Sequence, residues 1–394
     1  MAEVSPSEGV WNLGMLPFVY APLSTPTNGD DLPDLLPFAL TIDQESRSLL
    51  QMANEAVSMA LAKAYSMGSM MSGMMDEGGV GREYAEDFLH FAKTALGRDR
   101  LDGMSVLEIG CGTGYFLYRL KLLGANVLGV EPGAHGQEGS RRFGIKVVRD
   151  FFPSENVRGR FDVIVLYAIL EHIQRPRDFL TKVTAYLKET GNMVISVPDS
   201  EPCMRVGDIS MLMHEHWNYY TDATLRNTIR MSTGLDVTMG KSGFGGAIYA
   251  ATKKQHLMPP GSDVKQEAPR LLDYKSQAEK ALNRLLTYFV KAKERGESVG
   301  IYVPSRAINA LSMLKDRTDL SGLRFFDDDQ RLQGKYFPGF DIPIEPSENL
   351  MKTSTNRILV MSPSFEERIV NKLKSLTGTS SLITTWKDLF MGFD

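Results

Sequence analysis

Three groups of residues in this chain have types and spacings suited to chemistry. The first is Glu108-Ile109-Gly110-Cys111-Gly112-Thr113-Gly114, with Glu131 seventeen residues beyond Gly114. Glycines let a backbone pass close to a ligand where a Cβ would clash. A carboxylate at the tip of the following strand can accept both hydroxyls of a ribose. The G-x-G-x-G spacing departs from the dinucleotide pattern G-x-G-x-x-G. A carboxylate two places before the first glycine, Glu108, suits a ligand with a positive amino group better than a pyrophosphate. The second group is Met213-His214-Glu215-His216-Trp217-Asn218-Tyr219-Tyr220-Thr221, three ionisable side chains beside a run of aromatics. In an extended segment His214 and His216 share one face and Glu215 points away. The two histidines lack the i, i+4 spacing of a helical metal site, and no cysteine stands near as a third ligand. An exposed polar loop is the plain alternative. The third group is the glycine-started turn Gly300–Ala307 with Arg306, a possible seat for a phosphate or carboxylate at the start of a helix.

The elements that must position these groups are legible as periodicity. Strands read at Ser105–Ile109, Asn126–Val130, Lys146–Val148, Phe161–Leu166, Asn192–Val197, Leu235–Met239 and Ala247–Thr252, with helical stretches between. Such alternation predicts a largely parallel sheet with helices on both faces, and a ligand crevice at the carboxyl ends of its strands. Ahead of it lie prolines at 17, 22, 26, 33 and 37, then a helical pattern from about Gln44 to Ala64, with Asp43 or Thr41 as its cap. A polar Pro-Gly linker at 255–264 leads to an amphipathic helix from about Ala268 to Arg295. A second α/β unit follows, with strands at Val299–Val303, Leu323–Phe326 and Arg357–Met361. The expected division is therefore 1–80 as an N-terminal segment or lid, 81–254 as the nucleoside-binding domain, 255–296 as linker and long helix, and 297–394 as a C-terminal α/β unit.

Composition narrows the function classes. A formal charge of −4 offers no basic face for nucleic acid. Two cysteines, Cys111 and Cys203, exclude a disulfide framework and a cysteine-rich zinc site. The N-terminus has neither a basic nor an apolar region of the secretory kind, and no apolar run approaches the ~20 residues of a membrane span. A cytoplasmic protein acting on a small molecule is the expectation, with no membrane or nucleic-acid partner. Methionine is frequent, and Met67, Met70, Met71, Met74 and Met75 form a run that suits an apolar, adaptable lid or a hinge.

The strand–glycine turn–helix–strand unit with Glu108, Gly110, Gly112, Gly114 and Glu131 resembles that of the class I methyltransferases, whose cofactor is S-adenosylmethionine (SAM). Asp150-Phe151, after the third strand, would then meet the adenine, and Tyr167 would stand at the carboxyl end of the fourth strand. The string Leu170-Glu171-His172-Ile173 is similar to a stretch that in this class closes over the cofactor, with the histidine structural. The resemblance implies an α/β fold, a Rossmann-like methyltransferase domain with a second, smaller Rossmann-like C-terminal domain.

A narrower resemblance rests on His-Glu-His followed by Tyr and Thr, on Gly245-Gly246 before the last strand, on Gly300 to Ala310, and on Asp328 to Ile344 with Pro338-Gly339-Phe340-Asp341-Ile342-Pro343-Ile344. These look like the C-methyltransferases that act on nucleotide-linked keto-deoxysugars, over about residues 36–390. That family deprotonates a carbon next to a ketone, and the enolate carbon attacks the methyl group. The match makes His216 the base, Glu215 its assistant or the enolate stabiliser, Tyr65 the counterpart of an active-site tyrosine, and His214 an auxiliary or structural group. It implies a nucleotide-sugar-like acceptor held in part by the C-terminal unit. The departures are specific. The family opens with a four-cysteine zinc module, whereas residues 1–60 hold no cysteine, so no metal and no stoichiometric zinc are expected. Phe244-Gly245-Gly246-Ala247-Ile248-Tyr249 replaces the family's His-Gly-Gly-Ser-x-Arg, which points to a changed substrate. An O- or N-methyltransferase with another acceptor, and a non-catalytic SAM-binding scaffold, are the other readings.

Overall fold

Buried apolar runs such as Val106–Ile109 and Val163–Leu166, enclosed on both faces, form the centre of a seven-stranded sheet. Its order is Leu235–Lys241, Ala247–Leu257, Leu187–Pro198, Phe161–Tyr167, Ser105–Ile109, Asn126–Val130, Lys146–Val148. Only Ala247–Leu257 runs against the others. This computed structural model describes residues 9–19, 21–27, 32–66, 79–257, 271–352, 355–362, 366–378 and 381–391. The methionine run at 67–75 and most of the Pro-Gly linker lie outside the described residues. Helices cover both faces, over separate cores that include Phe161, Ile164 and Ile195 on one side and Phe88, Phe116 and Val194 on the other. The carboxyl ends of the parallel strands carry Gly110, Glu131, Asp150 and Tyr167 along one edge.

The N-terminal segment differs from its sequence reading. Trp11–Pro17, Leu35–Ile42 and Leu49–Gln51 form an antiparallel sheet, and its fourth strand is Asn218–Tyr219, from the aromatic run after His216. The helix expected from Gln44 spans only Glu55–Ser66. Asp43 does not cap it. Its Oδ1 instead accepts the Glu45 and Ser46 amides at 3.2 and 2.7 Å and closes the turn between two strands. Asn54 makes the cap, accepting the Ala56 amide at 2.9 Å. Leu49 and Leu50 fit either period, and pairing across the hairpin decided for strand.

The amphipathic helix Leu271–Glu294 follows its predicted stripe through Ala278, Leu282, Leu285 and Phe289, although Leu272 faces outward, 67% exposed. Beyond it stands an all-parallel sheet in the order Ile344–Glu345, Leu323–Phe326, Val299–Tyr302, Arg357–Val360, Leu382–Thr385. Its first and last strands were not visible as periodicity. One core joins Leu13 and Phe38 of the N-terminal sheet, Met204 and Leu212 of the segment after Pro198, Leu282 of the long helix and Ile301 and Phe325 of the C-terminal sheet. The C-terminal unit thus packs on the segment that leads to His216. No described helix is long and apolar enough to cross a membrane.

Candidate active site

The first half of the site is the glycine turn. Gly110 has φ 69°, and a Cβ there would lie 2.1 Å from Ile169 Cδ1, so only glycine fits. Gly112 has φ 52° and faces open space, which leaves its backbone accessible to a ligand. Gly114 starts the helix Tyr115–Leu122. Glu131 is anchored to this turn: Oε2 accepts the Gly112 amide at 3.0 Å and Oε1 the Gly133 amide at 2.8 Å. Each carboxylate oxygen keeps lone-pair capacity for a diol. Glu108 is buried, and its Oε2 has no hydrogen-bond partner among the described residues. Burial, with Glu131 adding to it, pushes its pKa well above the usual carboxylate range. An orphaned carboxyl oxygen of this kind suits a cationic amino group. Asp150 braces its own loop, accepting from the Phe151 amide at 2.8 Å and Ser154 Oγ at 2.6 Å, and the Phe151 ring is 64% exposed. Tyr167 is a buried ring stacked on Phe88 at 4.8 Å.

The second half is assembled from two segments. The strand Phe161–Tyr167 ends at Ala168 (φ 54°) and turns into the short helix Leu170–His172. This turn meets the loop at 213–217: the Trp217 amide donates to Glu171 O at 2.8 Å, and His172 Nδ1 bonds Glu215 O at 3.1 Å. The His172 and His216 rings then lie edge to face, 4.7 Å apart. Both histidines are held neutral. Burial lowers the His172 pKa to about 4, and burial with His172 nearby depresses that of His216. Burial, with Glu215 adding to it, raises Glu171 to about 8. Tyr65, near the end of the helix Glu55–Ser66, has a partly exposed ring. Its phenol pKa is raised by burial first, then by Glu215, Glu171 and Glu131 in that order.

His214 departs from the sequence reading. It does not share a face with His216, because the loop is a turn rather than a strand. Its Nε2 lies 3.3 Å from Leu16 O, and its ring packs 5.0 Å from Phe38 inside the N-terminal sheet. Glu171 and His172 stand where His214 was expected. The signal for them was Leu170-Glu171-His172 itself, but 44 residues separate His172 from His216 and no local pattern links them. Arg306 is likewise not poised for a ligand anion. Its Nη2 donates to buried Asp208 at 2.8 Å, and Trp386 Nε1 donates to the same oxygen at 2.8 Å. The carboxylate it receives is the chain's own, and the turn serves as a clamp between domains.

Residues 80–238 match the family model described as a methyltransferase domain, and residues 262–384 match that of the C-methyltransferase C-terminal domain. Over 116 residues the chain is 29% identical to the ubiquinone biosynthesis O-methyltransferase of Rhodopseudomonas palustris strain TIE-1, and 32% identical to that of Bradyrhizobium sp. strain ORS 278. Each match covers 27% of this chain and 44% of the relative, so the chain spans less than half the length of these curated relatives. Among solved structures, N-methyltransferase NodS from Bradyrhizobium japonicum WM9 in complex with S-adenosyl-L-homocysteine superposes with a TM-score of 0.36 and 15% identity, over 45% of this chain and 89% of that one. The chain therefore carries a methyltransferase domain over residues 80–238. Its second domain is, more particularly, that of the C-methyltransferases.

Two expected results follow from the cofactor side. Glu131→Ala should weaken SAM binding by roughly 1.5–3 kcal/mol, since it removes charged hydrogen bonds to a ribose and frees the Gly112 amide. Unchanged affinity by calorimetry would remove the glycine turn from the assignment. Glu108 gives a pH dependence. Burial disfavours the charged form of Glu108 in the free protein. Pairing with the cofactor's ammonium group returns its pKa toward normal, so binding releases a proton and affinity rises with pH until free Glu108 ionises by itself. Calorimetry in buffers of different ionisation enthalpy should show this release, and Glu108→Gln should abolish it. A release that persists in Glu108→Gln would place the proton elsewhere.

Proposed function

We propose that the protein transfers a methyl group from SAM to a carbon next to the carbonyl of a small-molecule acceptor, of the nucleotide-sugar type or a related biosynthetic intermediate. The observation that carries this reading is the enclosed, neutral His216, grouped with Glu171 and His172 and next in sequence to buried Glu215, in a chain whose second domain is of the C-methyltransferase type. When bound, the cofactor supplies an electrophilic methyl group. His216, with a free imidazole lone pair, takes the proton from the acceptor's carbon. Glu215 stabilises the imidazolium that forms, and Tyr65 donates its hydroxyl hydrogen to the developing enolate oxygen. Burial of His216 and Glu215 strengthens the first of these interactions. The enolate carbon is then left to attack the methyl group, with alignment by the two domains contributing the remainder.

Solvent deuterium exchange tests the first half without the second. Incubated with a candidate ketone in heavy water and no SAM, the protein should catalyse exchange at the α carbon, and His216→Ala should abolish it. Methyl transfer to the acceptor without any exchange would favour a second reading, O-methylation, in which His216 deprotonates a hydroxyl. The O-methyltransferase identity of the curated relatives is the observation behind that alternative.

A further inference from the structure

The fold brings Glu171, His172 and His216 together in a way that acid–base chemistry alone does not explain. One ligand atom from each, a carboxylate oxygen or a ring nitrogen, lies within 4.8 Å of the other two. His172 Nδ1 is tied to Glu215 O at 3.1 Å, which fixes the tautomer and leaves the Nε2 lone pair inside the cluster. That nitrogen faces Glu171 Oε1 at 3.9 Å. The gap is too long for a shared proton. It accommodates an ion bound to each atom at about 2.0–2.2 Å. Glu171 is 2% exposed, and its Oε2 has no partner among the described residues. The edge-to-face His172 and His216 rings make no hydrogen bond to each other that would use up their lone pairs. Oriented imidazoles, a buried carboxylate and a backbone carbonyl on the outer ring nitrogen are the outer-shell arrangement of a metal centre.

We propose that Glu171, His172 and His216 bind one divalent transition-metal cation. Two imidazoles and a carboxylate suit zinc, cobalt, iron or manganese better than calcium. Three protein ligands leave a coordination position open. In the proposed reaction that open position is the one the acceptor's oxygen takes. A cation there polarises the acceptor's oxygen and acidifies the adjacent C–H or the O–H. The role of His216 changes with it: its lone pair binds the ion, and the proton passes to the Glu215 carboxylate. No cysteine takes part, so this centre is distinct from the cysteine-type zinc that composition excludes. Binding of the ion stands independently of the methyl-transfer reading, whereas its catalytic role rests on that reading.

The test uses the untagged full chain, stripped with a chelator and titrated with Co2+ and with Zn2+. The expected result is one ion per chain, with visible absorption bands from Co2+. Glu171→Gln and His172→Gln should each weaken Co2+ binding at least tenfold while SAM binding, measured on the same samples, stays intact and reports folding. Absence of binding up to millimolar ion, or binding unaltered in both variants, overturns the proposal. In that event loss of deuterium exchange in His216→Ala still supports the base assignment. Conversely, tight binding in a chain that neither exchanges nor methylates any ketone upholds the metal centre and defeats the reaction assigned to it.

Discussion

Replacing His216 with alanine is expected to lower turnover by about 10²–10⁴-fold, the usual effect of losing a general base. The expectation rests on placement: His216 is almost fully enclosed, its ring meets His172, and its loop is bound to Glu171 through the Trp217 amide. SAM affinity should stay within about twofold of the parent's, because the residues proposed to hold the cofactor, the glycine turn and Glu131, lie on other strands. The pairing of the two measurements matters. Turnover lost together with SAM affinity would indicate collapse of the site rather than removal of its chemistry. Near-normal turnover would move proton removal to His172 or Tyr65. His214 is no substitute, since its ring is buried against Phe38 on the far side of the loop.

Asp208→Ala should destabilise the protein by about 3–5 kcal/mol, the range for breaking a buried ion pair on one side. Asp208 is 1% exposed. It accepts from Arg306, from Trp386 and from the Ser210 amide, and its loss leaves the first two without that acceptor in the domain interface. Turnover should fall as well. Asn309 of the C-terminal unit donates to the Ile209 and Leu212 carbonyls at 2.9 and 2.7 Å, and that stretch runs directly into the loop carrying His216. Urea unfolding gives the first effect and steady-state kinetics at a temperature where the variant is folded gives the second. A stability change below about 1 kcal/mol would mean that the interface is held by its apolar core alone. Because that core is shared, removing residues 297–394 would expose Leu212, Leu282 and their neighbours, so point substitutions are the cleaner probe of the C-terminal unit.

The sequence by itself determined the strand–glycine turn–helix–strand unit of this protein. Gly110, Gly112, Gly114, Glu108 and Glu131 lie within one strand–turn–helix–strand unit, where the positions are fixed by local geometry. Positive φ demands glycine, and the strand tip presents the carboxylate. The central strands Ser105–Ile109 and Phe161–Tyr167 were legible because a strand buried on both faces is written as a nearly continuous apolar run. The tertiary structure decided the rest. Leu49–Gln51 is strand because its partners are Leu40–Ile42 and Tyr219, the latter 168 residues after Gln51. His214 and His216 part company because the N-terminal sheet claims one and the turn after Tyr167 claims the other. Arg306 meets Asp208 rather than a ligand because two domains close on each other. Each of these outcomes is a contact between segments far apart in the chain, and periodicity records only which face of an element is apolar, never which distant element will cover it.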